Sequence, residues 1–233
     1  MNGRSTAIVT GASSGIGKAI AVMLCEQGYY VVGIARHFEE SAKFMTLTCD
    51  ITDYDSFLPI FRDLIREHHP EVLVNCAGVG FYGLHEDLSP SDIAYMVRTD
   101  LEAPMIITSE LLHDMKQNKR GTIINISSVV SSKASTYAAA YAAAKAGLSS
   151  FSESIFEESR KHGIRVTDIC PDMTKSNFYR NADFAEDDDP QAYLLPEDVA
   201  EAVKNILAAR DGVAITKLYI RPRYHRVKRR PSK

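Results

Sequence analysis

The 233-residue sequence predicts an α/β fold, in which about seven strands form a single doubly wound parallel sheet with helices on both faces. Three observations support this prediction. Short apolar segments alternate with longer helical segments along the chain, as in repeated strand–helix units. The apolar segments are continuous rather than alternating, as in parallel strands that are buried on both faces. The first of them leads directly into a glycine-rich turn.

Each predicted element has a recognisable composition or boundary. The strands are apolar runs at residues 6–10, 30–35, 44–48, 71–75, 121–127, 163–170 and 214–220. The helices are expected at residues 18–27, 53–68, 89–116, 136–161 and 196–209. Gly28 ends the first helix, and Ser89 with Pro90 begins the third as an N-cap followed by proline. Because crossovers between parallel strands are right-handed, these elements build a sheet that is covered on both faces.

The composition is typical of a soluble globular protein. The chain is 45% hydrophobic and 24% charged, and its formal net charge of -3 gives no overall signal for nucleic-acid binding. The sequence has no apolar run near the roughly 18 residues of a membrane span, and no signal-peptide segment. The four cysteines are widely spaced, which favours reduced thiols and no metal site. We therefore expect a cytoplasmic protein with one domain over residues 1–220 and a basic tail over residues 221–233.

The glycine-rich turn after the first strand predicts a phosphate-binding site. Glycine permits positive φ and close backbone approach, and free N–H groups at a helix N-terminus attract phosphate. The residues expected to contribute are Gly11, Ser13, Ser14, Gly15, Ile16 and Gly17. The alternative is a helix that is merely packed tightly against its strand. The strand before the turn and the helix after it favour a dinucleotide site.

Polar residues follow other predicted strands, and in a parallel sheet these strand ends share one edge. Arg36 follows the second strand, where an acidic residue would bind a ribose 2′-hydroxyl and an arginine suits a 2′-phosphate. The expected cofactor is therefore NADP(H). Asp50, with Ile51 after it, is placed to meet an adenine edge, and Asn75 and Ser128 end two further strands. The alternatives are a solvated arginine and a carboxylate that caps the next helix.

One predicted helix carries a tyrosine and a lysine, and both are expected to lie close to a serine at the end of the fifth strand. Tyr141 and Lys145 are four residues apart, so their side chains share one helical face, and Ser128 lies where the strand ends. A phenol can give or take a proton, and a neighbouring ammonium group lowers its pKa. We expect this arrangement to activate a carbonyl group. On an alanine-rich helix, the alternative is a packed ring and a solvated amine.

These motifs, in this order and spacing, resemble the short-chain dehydrogenase/reductase family over residues 5–220. The glycine turn matches the cofactor motif of the family, and residues 75–78 (NCAG) match its Asn-x-Ala-Gly element. The pair Tyr141-x-x-x-Lys145 matches the catalytic pair of the family, and Ser128, thirteen residues before Tyr141, takes its serine position.

The resemblance implies a Rossmann-type fold and a role for each of these residues. Tyr141 would be the general acid when a carbonyl is reduced and the base in the reverse direction. Ser128 would hydrogen-bond the substrate oxygen, and Lys145 would bind the nicotinamide ribose and keep the pKa of Tyr141 low. Cofactor contacts are also implied for Asn75, Ala77, Gly78, Tyr141, Lys145, Pro171, Thr174 and Ser176. Members of the family are commonly dimers or tetramers, so a homodimer or homotetramer is expected.

Two positions depart from the family pattern. Asp100 lies where the family usually has an asparagine that completes a proton relay. An ionised aspartate cannot donate a hydrogen bond, but it can interact with Lys145, so Asp100 remains a catalytic candidate. Asp172 follows Pro171 in place of the usual glycine, so residues 171–176 lack the backbone freedom that glycine would give them.

The predicted substrate site lies between residues 171 and 196, where specificity varies in the family. Phe178, Tyr179 and Phe184 are expected to form an apolar lid, and residues 80–83 the other wall. Such walls suit a moderately apolar carbonyl or alcohol substrate, such as a ketone, aldehyde or quinone.

The basic tail and the two departures leave other functions open. The tail, residues 221–233, is expected to be solvated and partly disordered, or to pair with acidic patches on a neighbouring subunit. Contact with nucleic acid or acidic lipid is the less favoured alternative. A second class of function is an NADP-binding regulatory or scaffold protein that has kept the fold and lost turnover.

Overall fold

Seven parallel strands form one sheet within residues 4–38 and 42–229, which are the residues that the computed structural model describes. They are β1 (Thr6–Thr10), β2 (Tyr30–Ala35), β3 (Met45–Thr48), β4 (Val72–Asn75), β5 (Gly121–Ile126), β6 (Ile164–Pro171) and β8 (Lys217–Ile220), while β7 (Phe184–Glu186) and β9 (Val227–Arg229) form a separate antiparallel pair. The order in the sheet is β3-β2-β1-β4-β5-β6-β8. The order reverses between β1 and β4, and such a switch point opens a crevice for ligands.

Helices cover both faces of the sheet, which confirms the predicted fold class. They are α1 (Gly15–Glu26), α2 (Tyr54–His68), α3 (Pro90–Val97), α4 (Ala103–Asn118), α5 (Ala139–Ser159) and α6 (Pro196–Leu207). The side chain of Asp53 caps α2 by accepting the Ser56 N–H at 3.4 Å. Ser89 caps α3 in the same way, at 3.0 Å from the Asp92 nitrogen. These side chains satisfy donors that the helix itself leaves free.

The apolar core consists of two layers, one on each face of the sheet. Successive side chains of a strand point to opposite faces, and β1 shows the consequence. Ala7 and Val9 pack in the layer that α1 and α6 cover. Ile8, between them, packs in the layer that α2 and α4 cover. Since β1 must be apolar on both faces, its sequence is a continuous apolar run.

Two predicted helices differ from the structure at places near the strand ends. The helix expected over residues 89–116 is interrupted by a π-helical turn at Arg98–Glu102. The helix expected from residue 136 begins at Ala139, because Tyr137 has a left-handed backbone with a φ of 64°. A π-helical turn changes the direction of side chains locally and is frequent at functional sites. Asp100 lies within this turn.

The described part of the tail is ordered and folded onto the same chain, whereas a partly disordered tail was predicted. β9, at residues Val227–Arg229, pairs with β7, although all three of its residues remain exposed to solvent. Residues 221–229 are therefore not a detached segment, although residues 230–233 lie outside the described part. Complementary charge accompanies this pairing, since Asp188 and Asp189 after β7 carry carboxylates and Arg226 and Lys228 of the tail carry the cations.

In the described part of the chain, no helix is both long enough and apolar enough to span a membrane. The same residues hold no cluster of histidine, cysteine and acidic side chains arranged for a metal ion. The cysteines are free thiols, at Cys25, Cys49, Cys76 and Cys170.

Candidate active site

The predicted site residues meet in one cleft at the carboxyl ends of the strands. Those that line the cleft are Gly11, Ser13, Ser14, Gly15, Ile16, Gly17, Arg36, Asp50, Ile51, Ala77, Gly78, Ser128, Tyr141, Lys145, Pro171, Thr174 and Ser176. Two predicted site residues, Asn75 and Asp100, are buried behind its surface. The topology of the parallel sheet brings these strand ends to the same edge.

The glycine turn makes one end of the cleft and requires residues without a side chain. Gly11 has a φ of 70°, and a β-carbon there would lie 2.8 Å from the Ala77 Cα. A β-carbon on Gly17 would lie 2.3 Å from the carbonyl oxygen of Gly11. Thr10 joins the two loops, since its hydroxyl accepts the N–H groups of Cys76 and Ala77 at 3.0 and 3.1 Å. The backbone therefore approaches the cleft closely at this point.

The first turn of α1 presents its backbone N–H groups to the cleft. Ser14 is the N-cap residue, with an extended backbone, and its side chain does not cap the helix. The opposite wall is near, because a β-carbon on Gly15 would lie 3.4 Å from the Ser176 Cβ. The partial positive charge of the helix N-terminus and its free donors fit a phosphate group. This cradle fits the pyrophosphate of a dinucleotide.

Arg36, at the end of β2, lies beside a tyrosine that sequence reasoning did not identify. Its guanidinium donates a hydrogen bond to the Tyr95 hydroxyl and lies 5.8 Å from the centre of the Tyr95 ring. Both side chains line the cleft, so the cation is held there by α3. No motif in the sequence points to Tyr95, because the contact depends on how α3 packs.

The carboxylate of Asp50 lines the cleft and also organises the loop after β3. It accepts hydrogen bonds from the N–H of Thr52 at 2.9 Å and from its hydroxyl at 2.7 Å. The helix cap that was the alternative for Asp50 is supplied by Asp53 instead. Ile51 is almost completely buried at the same edge of the cleft.

Ser128, Tyr141 and Lys145 lie together at the centre of the cleft. The Ser128 hydroxyl is near enough to the Tyr141 phenol to lower its pKa, and it accepts the Val130 N–H at 3.4 Å. The Lys145 ammonium donates to the carbonyl oxygen of Ile126 at 3.0 Å and lies 5.8 Å from the centre of the Tyr141 ring. The arrangement can bind a carbonyl oxygen between a hydroxyl and a phenol and can transfer a proton to it.

Asp100 forms a buried ion pair with Lys145. Its Oδ1 lies 3.2 Å from the lysine Nζ, and both side chains are buried. The carboxylate also accepts the Val79 N–H, at 3.2 and 3.4 Å from its two oxygens. Gly78 allows this approach, because a β-carbon there would lie 2.6 Å from the Asp100 Oδ1. Burial raises the pKa of Asp100 to about 6, although Lys145 and the Val79 N–H oppose this shift.

The pKa of Tyr141 differs from the expectation that Lys145 keeps it low. Burial raises the pKa of Tyr141 above that of a free phenol, and the charge of Asp100 raises it further. The hydrogen bond from Ser128 lowers it only in part. The expected effect of Lys145 does not prevail because its charge is paired with Asp100. The surroundings of Tyr141 in this structure therefore favour the protonated phenol over the phenolate.

Asn75 supports the site from inside the sheet and does not reach the cleft. Its amide donates to the Asn125 Oδ1 at 2.8 Å and to the Thr108 hydroxyl at 3.3 Å. The side chain is almost completely buried. The predicted direct contact with a cofactor is therefore not supported by the geometry. The side chain of the last residue of β4 points into the structure, and the sequence motif does not reveal this direction.

Aromatic rings close the cleft on the side where a substrate is expected. The Tyr82 ring lies 5.7 Å from that of Tyr141 and 5.1 Å from that of Phe184, measured between ring centres. The Phe178 ring also lies 5.7 Å from that of Tyr141, and Tyr179 lies 5.5 Å from Phe184. The predicted lid and the predicted opposite wall thus meet over Tyr141. Such a wall contacts apolar groups and excludes water.

Comparisons with known proteins agree with this geometry. The model of the short chain dehydrogenase family matches residues 5–187. An acetoacetyl-CoA reductase from Paracoccus denitrificans is 33% identical over 225 residues, which cover 90% of this chain and 93% of the reductase.

Two solved structures show the same architecture. A metagenomic short-chain oxidoreductase in complex with NADP is 30% identical, has a TM-score of 0.79 and matches 94% of this chain and 97% of its own. A 4-hydroxyisoleucine dehydrogenase complexed with NADH has the same fold, with a TM-score of 0.83, 22% identity and coverage of 94% and 97%. Seven parallel strands in the described residues, the glycine cradle and these matches lead to one conclusion: the chain is a Rossmann-type oxidoreductase of the short-chain dehydrogenase/reductase family.

Proposed function

We propose that this protein is an NADP(H)-dependent oxidoreductase that transfers a hydride between the nicotinamide and a ketone, aldehyde or quinone, or the corresponding alcohol. The observation that carries this proposal is the convergence of Ser128, Tyr141 and Lys145 on the cleft that also contains the glycine cradle. The reductase relative at 33% identity and the NADP complex at 30% identity support it.

The cradle and Arg36 are the proposed binding groups for the cofactor. The first turn of α1 would hold the pyrophosphate, and Arg36 would hold the ribose 2′-phosphate. When bound, the nicotinamide cofactor supplies or accepts the hydride. Tyr95 holds the Arg36 guanidinium in place, so this side chain loses less conformational entropy when the cofactor binds. Asp50, Ile51, Ala77, Gly78, Pro171, Thr174 and Ser176 are proposed to contact the remainder of the cofactor.

The proton that accompanies the hydride is assigned to Tyr141. In reduction, Ser128 donates a hydrogen bond to the substrate carbonyl oxygen, and Tyr141 transfers its proton to that oxygen. The substrate oxygen gains alkoxide character as the hydride adds to the carbonyl carbon. The nearby positive charge of Lys145 stabilises the negative charge that develops on this oxygen. In the reverse direction, the phenolate of Tyr141 takes the proton of the alcohol. Because burial and Asp100 raise the pKa of Tyr141, its protonated form favours catalysis of reduction.

The experiment that tests this function follows NADPH oxidation with a panel of aldehydes, ketones, diketones and quinones, with NADH in parallel. Tyr141→Phe is expected to bind NADPH as the parent does and to lose most of its turnover. Tyr137→Phe is the matched control, because Tyr137 lies four residues earlier, before α5 begins, and is 49% exposed. Equal turnover of Tyr141→Phe and the parent would overturn the mechanism.

A second candidate is an NADP-binding regulatory or scaffold protein with little turnover. The observation that favours it is the pairing of Lys145 with Asp100, which withdraws the lysine charge from Tyr141. Binding of NADPH without turnover of any carbonyl in the panel would favour this candidate over the first.

The remaining expectations are also proposals. We propose one domain over residues 1–220, a homodimer or homotetramer and a cytoplasmic location. Small side chains at residues 138–144 support packing between subunits, although Ala138, Ala140 and Ala144 are already buried in this chain. Light scattering during size-exclusion chromatography would measure the oligomeric state.

A further inference from the structure

The C-terminal segment of this chain is folded onto the segment that carries the aromatic wall. β9 pairs with β7 in antiparallel register, with Lys228 opposite Ala185. Closer to β8, the N–H of Tyr224 donates to the carbonyl oxygen of Gln191 at 3.0 Å. The Arg223 guanidinium donates to the Gln191 side-chain oxygen at 3.4 Å. We call residues 223–229 the C-terminal strap.

Opposite charges also join the strap to this segment. The Lys228 ammonium lies 2.7 Å from the Asp188 carboxylate, and the Arg226 guanidinium lies 3.8 Å from that of Asp189. These side chains are largely exposed, so each pair contributes little alone and is screened by salt. The charges therefore guide the register, while the backbone pairing holds the two strands together.

The strap also contacts a residue of the cleft itself. The His225 Nδ1 lies 3.5 Å from the Asp172 Oδ1. Asp172 lines the cleft and accepts the N–H of Met173 at 2.8 Å. The aspartate that replaces the usual glycine of the family thus joins the strap to the segment after β6.

The position of β7 determines where the aromatic wall lies. Phe184 is the first residue of β7 and is opposite Arg229 of the strap. Its ring lies 5.1 Å from that of Tyr82 and 5.5 Å from that of Tyr179. Tyr82 in turn lies 5.7 Å from Tyr141. A continuous series of contacts thus leads from the strap to the centre of the cleft.

We propose that the C-terminal strap is a positioning element for the substrate. By pairing with β7, it holds Phe184 and the aromatic wall over Tyr141, and so it determines the affinity and selectivity for the apolar part of a carbonyl substrate. This inference rests on the proposed function, which supplies the substrate. None of its residues lines the glycine cradle, so the strap is expected to leave cofactor binding unchanged.

The first test removes residues 227–233 from the full chain. The KM for a bulky aromatic ketone is expected to rise about tenfold, with a change of less than twofold in the dissociation constant for NADPH. The selectivity for the aromatic ketone over acetone is expected to fall by a similar factor. Hydrogen–deuterium exchange of residues 178–189 is expected to become faster, which reports the wall without any need for turnover.

A charge exchange provides the second test, because it alters single side chains. Lys228→Glu is expected to raise the KM about threefold with little change in kcat. The double variant Lys228→Glu/Asp188→Lys restores the opposite charges and is expected to return the KM to within twofold of the parent. Lys204→Glu is the matched control, since Lys204 pairs with Glu201 on the surface of α6. Lys204→Glu is expected to change neither the KM nor the rate of hydrogen–deuterium exchange of residues 178–189.

Three outcomes would overturn the proposal. They are an unchanged KM and exchange rate after truncation, a parallel loss of NADPH affinity, and a double variant no better than Lys228→Glu. If the parent reduces no carbonyl compound, the proposed function fails and the exchange experiment alone decides whether the strap positions the wall.

Discussion

Replacing Asp100 with asparagine is expected to change the protonation of Tyr141. Asp100 is completely buried, and its Oδ1 lies 3.2 Å from the Lys145 Nζ, which lies 5.8 Å from the centre of the Tyr141 ring. The carboxylate is therefore within roughly 9 Å of that ring. At an effective dielectric constant of about 20, a unit charge at roughly 9 Å contributes about 1.8 kcal/mol, or a little more than one pKa unit. Removing the charge is thus expected to lower the pKa of Tyr141 by about one unit.

The effect has a defined pH window. Burial raises the pKa of Asp100 to about 6, so the carboxyl group is neutral well below this pH and ionised well above it. In acid, the parent and Asp100→Asn carry the same charge beside Tyr141, and no difference is expected. Above this pH the variant lacks a negative charge, so more of its Tyr141 is phenolate. Alcohol oxidation by Asp100→Asn at about pH 8 is expected to be roughly threefold to tenfold faster than by the parent. The smaller factor applies if the phenolate of lower pKa, being a weaker base, removes the proton more slowly.

The assay measures initial rates of NADP⁺ reduction with one alcohol substrate across the pH range. Asp168→Asn is the matched control, because Asp168 is also completely buried, lies 3.6 Å from Lys217 and does not line the cleft. The dissociation constant for NADP⁺, measured by calorimetry, shows whether the cradle is intact. A rate ratio that does not change with pH, or an equal change in the control, would refute the electrostatic coupling of Asp100 to Tyr141.

The other predictions concern the cofactor and the sheet. Arg36→Gln is expected to weaken the binding of NADPH about tenfold to a hundredfold, since a charge-assisted contact contributes about 1.5–3 kcal/mol. The affinity for NADH, measured by calorimetry, is expected to stay unchanged. Gly11→Ala is expected to destabilise the protein by about 1–3 kcal/mol in urea unfolding, because of its positive φ and the nearby Ala77 backbone. Asn75→Ala is expected to cost about 1–3 kcal/mol by leaving the Asn125 oxygen without its partner, with unchanged NADPH affinity. A large loss of affinity in Asn75→Ala would instead restore its predicted contact with the cofactor.

Local patterns in the sequence predict most of the strands and loops that build the site. Continuous apolar runs specify strands that are buried on both faces, and the topology of a parallel sheet brings their ends to one edge. The glycine cradle and the pair Tyr141 and Lys145 follow from short spacings along the chain. For this reason, the fold class and many of the residues that line the cleft could be predicted, whereas Asn75 and Asp100 proved to lie behind its surface and Tyr95 lines it without a sequence signal.

Only the tertiary structure decided what surrounds those residues. The π-helical turn that directs Asp100 to Lys145, and the packing of α3 that brings Tyr95 to Arg36, depend on how helices meet in space. The strap joins positions as far apart as Asp172 and His225. The sequence determined which chemical groups reach the edge of the sheet, because that depends on local periodicity. Packing determined which of them are paired, buried or covered, because these contacts join distant parts of the chain.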